Sequence, residues 1–282
     1  KNESYDQEVL DRSGLFVSHE YGGMSDRFYQ RLIFPIRNSQ GRTIGFSGRW
    51  LAPEKGQEKD QPKYLNSPET ELFNKRQVLF NLDKARSEIR KSGEVLLFEG
   101  FMDVIAAWQA GVKNGIASMG TSLTNQQIQQ IERLTKELVF CYDGDHAGFE
   151  ATNRGIELLR KNSRLQLSII TMPEKLDPDE YLRKYGNDSF NELIHHGRDT
   201  VFTFKCRYLK QNKNLENEKE KIEYLEEALR ELSQVISPIE QDMYLSQLSA
   251  EFQISRETMQ KQLRDFRREN QKNRNESHTV AQ

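Results

Sequence analysis

Cysteine is scarce in this sequence of 282 residues. Cys141 and Cys206 are the only two, both in apolar surroundings and without metal-ligand spacing. They read as buried thiols in a reducing cytoplasm rather than as a zinc or disulfide framework. No apolar run approaches the ~20 residues that cross a bilayer, and no signal peptide is visible, so neither a membrane partner nor export is expected. Charge of one sign is also missing: 41 Lys and Arg stand against 43 Asp and Glu, a formal net charge of −2. No overall basicity announces a nucleic acid, so any such contact has to come from local distribution. Three of the five histidines, His146, His195 and His196, sit where surface or capping roles suffice. The first residue is Lys rather than Met, which gives the expectation of a piece of a longer protein. The length holds one large or two modest domains, each with a core of its own.

What the sequence does contain is one densely patterned stretch, Glu94 to Asp145. Glu94-Val-Leu-Leu-Phe98 is a β-type run that breaks at Glu99-Gly100, and a helical segment follows from Met102 to Ala110. Gly115-Ile-Ala-Ser118 reads as a short buried strand. Thr124-Asn-Gln-Gln127 has the form of a capping box opening a helix to about Lys136. Leu138-Val-Phe-Cys-Tyr142 is the next strand, ending at Asp143-Gly-Asp145. This alternation predicts right-handed βαβ units and a parallel sheet, whose chemistry lies beyond the carboxyl ends of the strands. Glu99, Asp143 and Asp145 fall at those ends. Carboxylates grouped there without His or Cys suit a hard cation such as Mg²⁺ or Mn²⁺. Asp-x-Asp alone would be no more than a turn and an N-cap; Glu99 at an earlier strand end makes the pattern specific.

Upstream, Met24 to Trp50 carries Arg27, Arg31, Arg37, Arg42 and Arg49 against a single acid, Asp26. Two β-type runs, Arg31 to Arg37 and Arg42 to Arg49, flank Asn38-Ser-Gln-Gly41, a hairpin signal. Pro35 puts the first run at an edge or bulge, and Gly45 and Gly48 predict a bare surface that another backbone could approach. Such a hairpin is a phosphate track or a solvated face. A helix is expected from roughly Lys75 to Lys91. Downstream come a helix, Ala147 to Lys161, a strand, Leu167 to Thr171, and Asp177-Pro-Asp-Glu-Tyr181, an N-cap with Pro at the first helical position. From about Arg198 the pattern is helical. Ile222, Leu225, Leu229, Leu232 and Ile236, then Met243, Leu245, Leu248 and Phe252, then Met259, Leu263 and Phe266 predict the core of a small bundle. Asn270 to Gln282 has almost no apolar residues and is expected to be disordered.

Glu99-Gly100 and Asp143-x-Asp145 at two strand ends resemble the Toprim domain shared by bacterial primases, topoisomerases, some nucleases and recombination mediators. Glu99-Gly-Phe-Met-Asp-Val104, Ala117-Ser-Met-Gly-Thr121, Tyr142-Asp-Gly-Asp-His-Ala-Gly148 and Lys63-Tyr-Leu-Asn-Ser-Pro-Glu-Thr70 narrow the resemblance. Over roughly residues 10 to 265 the chain looks like the bacterial replicative primases of the DnaG type, Gram-positive-like. That resemblance implies an α/β fold: a parallel-sheet Toprim domain (93–197) flanked by a basic, nucleic-acid-binding N-terminal α+β lobe (1–92) and a C-terminal helical bundle (198–268), with a disordered linker (269–282).

The resemblance also implies a DNA-dependent RNA polymerase that makes short RNA primers on single-stranded DNA from nucleoside triphosphates, by two-metal nucleotidyl transfer. Glu99, Asp143 and Asp145 would be catalytic, with Asp103, Asp177 and Asp179 as further ligands for two or more Mg²⁺ or Mn²⁺ ions. Whether Glu99 is a ligand or a general base stays open. Arg37, Arg49, Lys63, Asn66 and Lys75 would bind nucleotide or nucleic acid, and alarmones such as (p)ppGpp would compete with nucleotides there. Zinc would belong only to an N-terminal module not seen in this chain. A replicative helicase would be met through a C-terminal domain expected past Gln282, and this piece would be a monomer. The alternatives are a Toprim strand-cleaving enzyme, which needs a tyrosine in a gated scaffold or a fused ATPase, and a non-catalytic recombination mediator, which needs a four-cysteine zinc site. The chain is short, lacks a P-loop and has two cysteines.

Overall fold

The computed structural model describes residues 5–19, 22–51, 62–120, 122–211 and 213–279. It divides into two compact units, Lys1–Arg198 and Asp199–Gln282. The first unit opens with α1 (Gln7–Arg12) and the antiparallel pair β1 (Phe16–Ser18) and β2 (Met24–Asp26). An antiparallel sheet follows, β3 (Arg31–Arg37), β4 (Thr43–Trp50) and β5 (Tyr64–Asn66), in that spatial order. The expected hairpin turn is present. Asn38 Oδ1 accepts from the N–H groups of Gln40 and Arg42, and Gly41 supplies the left-handed residue at φ +81°. Pro35 lies on the edge strand, beside a register shift between Ile36 and Arg37. The two strand glycines are not bare. A Cβ on Gly45 would stand 3.1 Å from the Phe73 ring, and one on Gly48 would stand 2.8 Å from both Phe28 and Arg31. They make room for the protein's own side chains.

Next comes α2 (Leu82–Ser92), shorter than the helix expected from Lys75. Phe80 instead bridges Ala117 in both directions, and Asn81 at φ +67° breaks the path into the helix. The carbonyls of 75–78 are held by side chains: Gln127 Nε2 donates to Val78 O at 2.8 Å and to Lys75 O at 3.3 Å, and Thr124 Oγ1 donates to Arg76 O. Alternation then sets in: β6 (Glu94–Phe98), α3 (Phe101–Gln109), β7 (Gly115–Ala117), α4 (Asn125–Glu132), β8 (Glu137–Cys141), α5 (His146–Asn162), β9 (Gln166–Ile170), α6 (Pro178–His196) and the short β10 (Arg198–Thr200). The sheet order is β10-β9-β8-β6-β7, and β6, β7, β8 and β9 pair in parallel. At the start of β6, Glu94 is bound bidentately by Arg198, at 2.5 and 2.8 Å.

The hairpin lobe and the parallel sheet share a core. Ile36, Phe73, Val78, Phe101 and Met119 are buried together. Phe101, the first residue of α3, has its ring 5.1 Å from Phe34, 5.5 Å from Tyr64 and 5.4 Å from Phe80. Full burial of one such side chain, as at Phe101, contributes about 1.5–3 kcal/mol. The boundary expected at 92/93 therefore does not separate two bodies; one compact unit runs to Arg198.

The second unit is helical: α7 (Val201–Gln211), α8 (Glu218–Leu232), α9 (Pro238–Phe252) and α10 (Arg256–Thr279). Tyr224, Leu225, Ala228, Leu229, Leu232, Leu245, Leu248 and Phe252 are buried with Met259, Leu263 and Phe266. Three residues expected in this core are exposed, Ile222, Ile236 and Met243. Met243 precedes Leu245 by two residues, about 200° around a helix, so both cannot face inward. The disorder expected from 269 is likewise not found, because α10 continues to Thr279. Glu269, Gln271, Lys272, Arg274 and Glu276 in that stretch are good helix formers. Residues 280–282 of the expected linker lie outside the described residues.

Candidate active site

The register of the parallel sheet sets the site. Phe98 stands opposite Cys141 on one side and Ala117 on the other, so β6, β7 and β8 end at one level. The next residues, Glu99, Ser118, Tyr142 and Asp143, emerge together at that edge. Gly100 N-caps α3, and its N–H donates to Asp103 Oδ2 at 3.2 Å, which turns Asp103 inward where it is buried. Asp145 N-caps α5, accepting from the Gly148 N–H at 2.8 Å. Asp177 N-caps α6, accepting from the Glu180 N–H at 2.6 Å, and Asp179 is ion-paired with Arg183. The Gly144 N–H donates to Leu176 O at 2.9 Å and ties the two acidic loops together.

The carboxylates repel one another at this edge. Burial pushes Asp143 up to about 8, with Asp103, Glu99, Asp177 and Asp145 adding to it. Burial and then Asp177 raise Asp103 to about 7. Glu99 is raised by burial and by Asp145. Glu99 Oε2 and Asp143 Oδ1 are buried without a hydrogen-bond partner among the described residues. Hard oxygen donors with orphaned lone pairs and crowded negative charge fit a divalent cation. Among the described residues no three of them close on one point as a ready-made cage. Glu99, Asp103, Asp177 and Asp179 line the rim of a cleft instead.

That cleft, about 390 Å³, is bordered by Glu99, Asp103, Asp177 and Asp179 on one side and by Arg49, Lys63 and Asn66 of the hairpin lobe on the other. Asn66 Oδ1 is buried and unpartnered. Acid and base thus face each other across a space the size of a nucleotide.

Family comparisons agree along the chain. Residues 1–86 match the N-terminal domain of the DNA primase catalytic core, 96–182 match Toprim-like domains, and 202–257 match the DnaB-helicase binding domain of primase. The DNA primase of Enterococcus faecalis is 57% identical over 95% of this chain and 43% of its own length. A DNA primase domain from Pseudomonas aeruginosa superposes with a TM-score of 0.69 at 33% identity, covering 91% of this chain and 79% of that one. The chain belongs to the bacterial DNA primases. A further solved relative, a DnaG primase catalytic domain bound to single-stranded DNA, superposes with a TM-score of 0.69 at 32% identity, over 89% of this chain and 78% of that one. The chain spans less than half the length of the curated primases it matches, 43% and 42% for the two at the head of the comparison. The strand-cleaving and mediator readings gain no support from any match. The helicase-binding match falls inside the chain, on the second unit, whereas the sequence reading put that contact past Gln282.

Of the residues expected at the primase site, the structure brings seven to the cleft rim: Arg49, Lys63, Asn66, Glu99, Asp103, Asp177 and Asp179. Asp143 and Asp145 stand just behind, close enough to act on Asp103 and Glu99 electrostatically. Arg37 is elsewhere; it lines two other cavities on the far side of the hairpin. Lys75 does not border the cleft, and its N–H is bound to Glu69. Arg27 and Arg31 serve the lobe itself, donating to Asn66 O and to the carbonyls of Gly48 and Pro62. Sequence reading missed Tyr142 and Arg154, which border a second cavity at Glu99. The signal was available: Ala151, Arg154, Gly155 and Leu158 recur at three and four residues along one face of α5.

The Toprim match implies a divalent cation, and its absence has a stability signature. Unfolded aspartate titrates near ~3.9, so Asp103 and Asp143 hold their protons to higher pH in the folded state. Their stabilising effect is complete below about pH 4 and is lost as pH rises toward 8. Without cation, the melting temperature should fall between pH 5 and 8 relative to that of Asp143→Asn. Added Mg²⁺ should raise the wild-type value by several degrees, more at pH 8 than at pH 5. A melting difference that does not change with pH or Mg²⁺ would show that the carboxylates are not so crowded.

Proposed function

We propose that this chain is the catalytic core of a primase, a nucleotidyltransferase that makes short RNA primers on single-stranded DNA in the cytoplasm. The reading is carried by one observation, the carboxylate edge facing Arg49, Lys63 and Asn66 across a cleft. Arg49 and Lys63 hold the triphosphate of an incoming nucleotide, and Asn66 hydrogen-bonds its sugar or phosphate. A 3′-hydroxyl attacks the α-phosphorus; the new O–P bond forms as the bond to the β-phosphate oxygen breaks, and pyrophosphate leaves. Glu99, raised by burial, is suited to receive the hydroxyl proton. Two Mg²⁺ or Mn²⁺ ions held by Asp143 and Asp145, with Asp103, Asp177 and Asp179 nearby, would supply nucleophile activation and leaving-group neutralisation. The second unit is the surface offered to a replicative helicase. Clustered phosphates on (p)ppGpp compete for the same cations. The test is primer synthesis on single-stranded DNA with Mg²⁺ or Mn²⁺; no product with either ion overturns the reading.

The position of each cation makes a sharper expectation. Losing a hydrogen bond to a charged group costs about 1.5–3 kcal/mol, so Arg49→Ala and Lys63→Ala should each weaken nucleotide binding roughly tenfold or more. The dependence on salt should become shallower as well. Arg37→Ala should leave nucleotide affinity within about twofold. Titration of all three across a salt series checks this; the largest loss at Arg37 would move the binding face to the other side of the hairpin.

A further inference from the structure

Glu99 borders two cavities. Besides the cleft facing the hairpin lobe, a space of about 480 Å³ lies between Glu99 and α5, bordered by Ser118, Ser122, Tyr142, Arg154 and Leu158. Glu99, Ser118 and Gly120 are common to both, so the two spaces meet at the carboxylate. Their chemistry differs. The cleft presents three cations, Arg49, Lys63 and Arg183, the last paired with Asp179, opposite the carboxylates that would hold divalent ions. The second cavity presents one, Arg154, beside two serine hydroxyls and an apolar wall of Leu123, Tyr142 and Leu158. The Arg154 side chain is 59% exposed, and its ion-pair contact with Glu150 is long, 3.9 Å. Its guanidinium acts on Glu99 electrostatically from the wall of the same cavity.

Strand synthesis needs two different nucleotides at one point. The incoming triphosphate is heavily charged; the strand end carries one charge on its phosphodiester and a 3′-hydroxyl beyond it. The many cations of the cleft suit the first, and the lone guanidinium with hydroxyls and an apolar wall suits the second. On the primase reading above, we propose that the cavity against α5 seats the 3′-terminal nucleotide of the growing RNA. Arg154 donates to its phosphodiester, Ser118 and Ser122 face its ribose, and its 3′-hydroxyl meets Glu99 where the two cavities join.

The test separates the two nucleotides. With an RNA primer annealed to a DNA template in Mg²⁺, Arg154→Ala should raise both the KM for the primer and its Kd about tenfold or more. The Kd is read by fluorescence anisotropy without nucleotide, so it does not depend on turnover. Arg154→Lys should recover part of the loss, and the KM for the incoming nucleotide should stay within about twofold. A rise in nucleotide KM with primer affinity unchanged would give Arg154 to the triphosphate instead. An equal loss of affinity for unprimed single-stranded DNA would make it a general phosphate contact, and no change anywhere would leave the cavity without a strand end. Each of these overturns the proposal. Wild-type protein that binds the primed template yet never extends it would count against the primase reading alone.

Discussion

Asp143→Asn should abolish primer synthesis, by about 10²–10³-fold or more, the scale on which one preorganised charge-stabilising group acts. The substitution keeps the shape of the side chain and removes the negative charge whose Oδ1 is buried without a partner. It also removes a repulsion felt by Asp103 and Glu99, so the fold has no reason to fail. Asp145→Asn should behave in the same way, because asparagine caps a helix as well as aspartate does and the bond from the Gly148 N–H survives. Affinity for single-stranded DNA should stay within about twofold, since the carboxylates serve the chemistry and the cations serve the phosphates. Primer synthesis and DNA binding measured on the same preparations decide the matter. Retained synthesis in the double variant would sink the assignment of this edge as the active site.

Gly148→Ala should be nearly as damaging, although no side chain is lost. A Cβ at this position would lie 2.1 Å from the carbonyl oxygen of Asp143 and 2.8 Å from its carbonyl carbon. The first turn of α5 rests directly on the backbone that carries Asp143, and only a hydrogen fits between them. Alanine must push Asp143 out of register with Glu99, and a displacement of about 1 Å can cost ~10²-fold. Overpacking should also cost about 1–3 kcal/mol of stability. Gly197→Ala is the control: its Cβ would lie 2.7 Å from the carbonyl oxygen of Leu193, at the opposite end of α6 from Asp177. The expected result is comparable melting for the two variants, with activity lost at Gly148 and largely kept at Gly197. Equal loss of activity in Gly197→Ala would mean general damage and not displacement of Asp143.

Much of this was legible in the sequence because the parallel sheet writes its signals locally. Glu94 to Phe98 and Glu137 to Cys141 are short apolar runs, Thr124 to Gln127 is a capping box, and Asp177-Pro178 is an N-cap with its proline; each has that form in the structure. What stayed hidden depends on packing across the chain. Lys75 to Phe80 has helical composition but is held as a turn and a single β-bridge by Gln127 and Ala117 from outside the segment. Gly45 and Gly48 look exposed until Phe73 and Phe28 are seen above them. Arg37 and Arg49 share a hairpin and a charge, yet strand pairing sends them to different cavities. Arg154 carries no motif; only the face of α5 that meets the sheet edge gives it a place.

One strand carries two glutamates of opposite fate. Glu94, at the start of β6, is held by both arms of the Arg198 guanidinium, while Glu99, just past its end, has an oxygen with no partner at all. The first charge consolidates the structure; the second is tolerated by it. Selection for persistence alone would favour the former and remove the latter, so one strand carries the marks of two separate demands. Drift toward heat tolerance has room to act at the Arg198 end of the sheet, whereas at the Glu99 end any gain in stability would have to fill the open oxygen.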